Sequence, residues 1–136
     1  MSIASYAKFL IEGLLSQHTN KDDSKTLEEL LSEAKQHYDL VLPRKADADT
    51  RVDSVQIQSK KLIFHNTLLN GEKSDIDEGI FTDALTDALQ AELNRNKRLR
   101  RIFDKNGTII YNYVDKHGDV ITKIELQNKL QAWVQD

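Results

Sequence analysis

Four histidines, His18, His37, His65 and His117, are the first side chains to test for chemistry. A helical metal site needs ligands three or four residues apart so that they share a face. The chain has no His-x-x-x-His or His-Glu-x-x-His, and Glu33 with His37 supplies only two ligands. His18 ends a helical stretch and His117 sits in a turn. His65 lies on a strand beside Asn66 and Thr67, and acts as a base only if a carboxylate or hydroxyl faces it. The segment Asp75-x-Asp77-Glu78-Gly79 resembles the start of a calcium loop. It lacks a third ligand before the glycine, and the twelfth position is Thr86 where that loop needs Glu. It is expected to be a helix N-terminus, where acidic side chains suit the macrodipole. The five glycines are too far apart for a phosphate-binding loop, and no serine elbow is present. The absence of cysteine removes disulfides, thiol nucleophiles and thiolate metal sites together. No residue is assigned as catalytic, cofactor-binding or metal-binding, and the chain reads as non-enzymatic.

Binding chemistry has more to work with. Arg95, Lys97, Arg98, Arg100, Arg101 and Lys105 place six cations in eleven residues. On a helix Arg98, Arg101 and Lys105 share a face. Such a face suits an acidic protein surface or phosphates, with Tyr111 or Tyr113 stacking on bases. The plainer reading is that cations at a helix C-terminus are stabilising without any ligand. Tyr111, Tyr113 and Trp133 offer either an aromatic platform or core. The N-terminal helix adds Tyr6, Phe9 and Leu10 as a third candidate contact surface.

Positioning these groups falls to elements read from periodicity. Ile3, Ala7, Leu10, Ile11, Leu14 and Leu15 give a helix over 3–17. Thr26 and Glu29 form a capping box for a second helix with Leu27, Leu30, Leu31, Ala34 and Tyr38 inside, ended by Pro43. Residues 43–50 read as a surface loop. Strands follow at Val52–Gln58 and Lys61–Leu69, turning at Ser59-Lys60, and the second is apolar on both sides at its start, as a central strand is. Ser74 with Asp77 is a second capping pattern. It precedes a helix with Ile80, Phe81, Ala84, Leu85, Ala88, Leu89 and Leu93 on one face. A further turn or two holds Leu99, Ile102 and Phe103 before Asn106-Gly107. A hairpin pairs Thr108–Val114 with Val120–Ile124 through Gly118, which supplies positive φ. The tail from Glu125 reads as a helix carrying Leu126, Leu130, Trp133 and Val134.

The order α-α-β-β-α-(α)-β-β-α predicts a single α+β domain over 1–136. Residues 1–40 form a helical hairpin, 50–126 a sheet with an inserted helix, and 126–136 a C-terminal helix. The sheet is expected to have about four antiparallel strands with helices on one face. At 39% hydrophobic and 30% charged residues the chain is apolar enough to fold. A net charge of −3 selects no partner by itself and makes nucleic acid unlikely as one. No apolar run approaches the roughly 20 residues of a membrane span. The sequence reads as cytoplasmic, or as periplasmic or surface-associated if an export signal once preceded it.

The run Leu99-x-x-x-Phe103-x-x-x-Gly107-x-x-x-Tyr111-x-Tyr113-x-Asp115-x-x-Gly118 resembles a hairpin pattern of small, mostly uncharacterised bacterial α+β proteins. Several of those are exported or surface-associated. The resemblance covers roughly 60–126, implies an α+β domain and carries no catalytic residues. Its relatives often hold cysteines near the hairpin, and this chain has none. The expected function is a small accessory protein of the chaperone-like, secretion-accessory or immunity type. Its partner is another protein, or itself in a homodimer. Alternatives are a nucleic-acid-associated protein using 95–105, and a small hydrolase or isomerase with a site near His65.

Overall fold

The computed structural model describes residues 24–128. Helix α1 is Leu27–Val41, followed by strands β1 Arg44–Lys45, β2 Thr50–Gln58 and β3 Lys61–Leu68. A 3-10 turn at Lys73–Asp75 leads to α2 Glu78–Leu93 and α3 Lys97–Asp104, then to β4 Thr108–Val114 and β5 Val120–Leu126. The expected helix over 3–17, with Tyr6, Phe9 and Leu10, lies outside the described residues. So does the expected tail helix, except that its first residues, Glu125 and Leu126, belong to β5.

Thr26 caps α1 as its sequence predicts. Its side chain accepts from the Glu29 N–H, and the Glu29 carboxylate accepts from the Thr26 N–H. Leu27, Leu30, Leu31, Ala34 and Tyr38 are all buried. The second cap falls elsewhere. Asp77, not Ser74, accepts from the Ile80 N–H at 3.0 Å, because Lys73–Asp75 has already closed into its own 3-10 turn.

The sheet has five strands in the order β1-β2-β3-β4-β5, where about four were expected. Both predicted hairpins form, β2 with β3 and β4 with β5. They meet along a parallel pair, with Lys61 beside Thr108 and Thr67 beside Val114, so the sheet is not wholly antiparallel. The cause is the length between the hairpins. Two helices carry the chain from the end of β3 back to the start of that strand, and a parallel neighbour needs such a crossover. The extra strand, β1, lies within the stretch read as a loop. Arg44 and Lys45 are both exposed, so no apolar alternation marked them; only backbone pairing with Val52 and Arg51 defines them.

All three helices cover one face. Leu62, Phe64, Leu68, Ile109, Tyr111 and Tyr113 join the buried residues of α1, α2 and α3 in one core. Aromatic rings run through it. Tyr38 meets Phe64 edge-on at 5.0 Å, and Phe64 stacks on its register partner Tyr111 at 5.2 Å and 9°. Phe81 meets Tyr113 edge-on at 5.6 Å. Such pairs add about 0.5–1.5 kcal/mol beyond their buried area. Ile63 and Ile110, side by side on the other face, are buried but stand outside this core.

The turn after α3 differs in its division of labour. Gly107 was expected to provide the helix-ending freedom, yet Asn106 takes the left-handed conformation at φ 68°. Gly107 is needed for space. A Cβ there would lie 2.5 Å from Ile102 Cγ2, 2.8 Å from Leu27 Cδ1 and 2.9 Å from the Ile102 carbonyl oxygen. Gly107→Ala therefore overpacks the junction of α1, α3 and β4. It should lower stability by about 1–3 kcal/mol in urea unfolding, whereas Gly71→Ala, with no contact nearer than 3.5 Å, should cost less.

Candidate protein-binding surface

Helix α2 positions the candidate surface. Its expected face was too wide. The structure buries Leu85, Leu89, Glu92 and Leu93, while Ile80 is 70% exposed and Ala84 is exposed. The physical reason is helix geometry: α2 packs on β5 through Leu85, Leu89 and Leu93, and at 3.6 residues per turn Ile80 and Ala84 fall on the side of the helix turned away from Leu89. Phe81, half-buried, marks the boundary. The Thr82 and Thr122 hydroxyls meet at 2.8 Å and join the helix to the strand. Between them runs an open cleft of about 590 Å³, lined by Glu78, Gly79, Thr82 and Asp83 on one side and Val120–Lys123 on the other. Val120 is 61% exposed at its mouth.

Asp115 holds Lys73, which lines one end of this cleft. The Asp115 side chain is buried, and its carboxylate accepts from three backbone donors: Lys73 N–H at 2.9 Å, His117 N–H at 2.8 Å and Asp119 N–H at 2.9 Å. One carboxylate thus ties the turn preceding α2 to the β4–β5 loop. The Lys73 N–H is the main influence holding this carboxyl below the usual aspartate range; the loop N–H groups of Asp119 and His117 add to it against the opposing effect of burial. Beside it Glu72 receives Lys116 Nζ at 3.1 Å and His117 Nε2 at 3.5 Å, which lower the Glu72 carboxyl, Lys116 more than His117. Sequence reading treated Asp115 as one residue of a short loop. The signal available was its place directly after Val114, the last residue of the strand, and three residues before Gly118.

The basic run is divided. Asn96 accepts from the Leu99 N–H at 2.9 Å and caps a separate α3, so Lys97 and Arg98 stand in a first turn, not at a helix C-terminus. The macrodipole explanation therefore fails for these two and holds for Arg95, just past the end of α2, and near Arg101 and Lys105. Arg95 pairs with Glu92 at 3.1 Å, and Arg100 donates to the Asn94 carbonyl. Arg98 and Arg101 are half-buried while Lys105 is exposed, so the expected cationic face is not evenly presented. Arg98 lies near the buried Tyr38 hydroxyl, whose pKa burial pushes up to about 12 against the smaller opposing effects of Asn96 and Arg98.

Tyr111 and Tyr113 are 1% and 0% exposed, core residues and not a platform. His65 sits on central β3, half-buried, with Nε2 3.0 Å from Gln56 Oε1. Neither the α2–β5 cleft nor the hollow beside Asp115 includes it. Among the described residues no group of three or more His, Asp or Glu is placed to hold a metal ion. No described helix is long and apolar enough to cross a membrane.

No family model matches the chain, and no curated protein sequence does. Solved structures do. A protein assigned as secreted from Pseudomonas aeruginosa aligns with a TM-score of 0.66 at 13% identity, over 76% of this chain and 90% of its own. The type II secretion system pilotin AspS from Vibrio cholerae gives 0.59 at 10%, over 88% and 96%. The pilotin EpsS of the Vibrio vulnificus type 2 secretion system gives 0.57 at 11%, over 81% and 96%. At these identities the likeness is one of fold, an α+β fold shared across nearly the whole of each neighbour.

Asp115 also sets an acid response. Its folded pKa lies below the unfolded value of about 3.9, so its contribution is complete above that value and is lost as pH falls through the folded pKa. Asp115→Asn turns a donor toward the Lys73 N–H and should lower the melting temperature at pH 7. The gap between wild type and variant should hold from pH 7 to 5 and narrow below about pH 4. Thermal unfolding across that range reads it directly; a gap independent of pH would refute the assigned role.

Proposed function

We propose that this chain is a non-enzymatic accessory protein of bacterial protein secretion that works by binding another protein on its α2–β5 side. The carrying observation is exposed apolar side chains on the two elements that flank the cleft. Val120 stands exposed at the cleft, Ile80 is exposed on the outer side of the α2 turn whose Glu78 and Gly79 line it, and β5 has no partner on its outer side among the described residues. Large exposed apolar side chains on two adjoining elements favour a contact surface more than a single one, such as Leu40 on α1, does. The fold supports the setting, because two of its structural neighbours are type II secretion system pilotins and a third is assigned as secreted. A periplasmic or cell-surface location follows from the same reading.

The alternatives lose ground for particular reasons. An enzyme near His65 lacks a reactive pair, since the imidazole is engaged by the Gln56 carboxamide. Asp115, the best-placed buried carboxylate, has both oxygens committed to backbone donors. Nucleic-acid binding through 95–105 loses its continuous face, because Asn96 breaks the run and Arg95 and Arg100 turn back to Glu92 and Asn94.

Affinity capture from an envelope extract of the source bacterium tests the reading. Wild-type chain and Leu40→Glu should retain one stoichiometric protein, and Ile80→Glu and Val120→Asp should each reduce it by about tenfold or more. All three positions are exposed, so the substitutions leave the core intact. Equal capture by all four chains would remove the α2–β5 side from the proposal. Recovery of nucleic acid that salt releases would replace it with binding through α3.

A further inference from the structure

The two edges of the sheet are finished differently. At one, β1 has two residues, Arg44 and Lys45, directly after Pro43. Short length, charge and proline are the usual means of closing an edge to further pairing. At the other, β5 runs seven residues, and its backbone pairs only with β4 among the described residues. A row of donors and acceptors is left open there, beside exposed Val120.

The charges on β5 select what fits this edge. Lys123 and Glu125 are exposed, two residues apart, and so lie on one face of the strand. From the geometry we infer that a second copy of this chain pairs antiparallel along β5, about a twofold axis through Ile124. In that register Lys123 of each chain stands opposite Glu125 of the other, giving two attractive pairs from one symmetric contact. Registers centred one residue away put Lys123 against Lys123, or Glu125 against Glu125, and are disfavoured by like charge. The two five-stranded sheets become one, with both helix layers on the same side. Glu125 already lies 3.9 Å from Lys61 of its own chain, an exposed contact too long to saturate the carboxylate. On the helix side the outer face of α2 carries exposed Ala84 and Ala91. Asp83 and Asp87 are also exposed on α2 and work against association. The salt dependence of the dimer would therefore mix opposing effects, whereas exchanging the strand charges isolates one.

This inference rests on reading the α2–β5 side as a binding surface, and its test separates the two. Sedimentation equilibrium on the full chain over a wide concentration range should show monomer and dimer. Lys123→Glu alone and Glu125→Lys alone should each weaken dimerisation by about tenfold or more, since each makes both pairs repulsive. An equimolar mixture of the two variants should recover association to about the wild-type level, because every cross-pair is then attractive. Both residues are exposed, and unchanged circular dichroism melts would show that the variants fold. A chain that stays monomeric at all concentrations overturns the inference, as does a dimer indifferent to the charge changes, or a mixture that fails to recover. A monomer that still captures its partner through Ile80 and Val120 overturns the self-pairing alone and leaves the proposed function standing.

Discussion

The parallel register of β3 against β4 is the constraint from which the rest of the structure follows. Strands running the same way cannot be joined by a tight turn, so about forty residues, from Leu69 to Gly107, must cross from the end of β3 to the start of β4. That crossover is what α2 and α3 are. It also places the two hairpins back to back, which sends β2 and β1 to one side and β5 to the other. The ring pair Phe64 and Tyr111 sits at the middle of the parallel seam, stacked at 9°, and Tyr38 of α1 closes over it. The crossover helices then have only one free stretch of sheet to cover, β4 and β5. Helix α3 packs against β4 and also against α1, and α2 is left with β5 and the outer boundary. Ile80, on the side of α2 opposite Leu89, is then left without cover.

Local devices hold this arrangement at the places where the chain reverses. Gly107 lets β4 leave α3 beneath Leu27, with no room for a single methyl group. Asp115 does the converse at the far end, using one carboxylate to gather three backbone N–H groups from two segments that sequence separates by more than forty residues. Buried backbone donors must be satisfied, and in irregular segments a short acidic side chain is an efficient acceptor. The cleft between α2 and β5 thus has one end at Lys73, held by Asp115, and one hydroxyl bridge, Thr82 to Thr122. Its lining is mostly polar and charged, with exposed Val120 as its apolar point.

Much of the fold was legible in the residues, and what was not has identifiable causes. The capping box at Thr26 and Glu29, the α1 stripe, both hairpins and the central position of β3 are all local patterns, and all are present. Parallel pairing is not a local pattern. Nothing in Lys61–Leu68 or Thr108–Val114 states which of two directions the second hairpin takes beside the first. β1 escaped because its side chains are charged and its only structural role is through the backbone. The expected face of α2 is too wide because its seven apolar residues span more than half the helix circumference, with Ile80 opposite Leu89, and a helix packed on one side buries only part of that. The basic run was misread because Asn94-Arg95-Asn96 looked like continuing helix, whereas Asn96 is a cap, a role asparagine fills readily. The candidate surface was the least legible feature. Tyr111 and Tyr113 had the aromatic character of a binding platform and proved to be the middle of the core. Val120 and Ile80, unremarkable in sequence, are what the folded chain exposes.

The contrast between the edges then bears on purpose. Leaving Ile80 mostly in water forgoes on the order of 1–2 kcal/mol that burial would supply. A strand such as β5, open along seven residues, also invites unwanted pairing. A domain with a continuous core across all three helices tolerates that cost, but tolerance does not explain why the opposite edge is so thoroughly closed. Pro43, Arg44 and Lys45 show that this sequence contains the means to blunt a strand. At β5 it uses charge alone, and in an alternation of opposite signs, Lys123 and Glu125, in place of a like-charged barrier. A barrier of one sign repels every copy of itself; an alternating pair repels the two registers on either side and favours one. Physical economy therefore favours reading β5 as an edge kept selective, beside the helix that leaves Ile80 exposed.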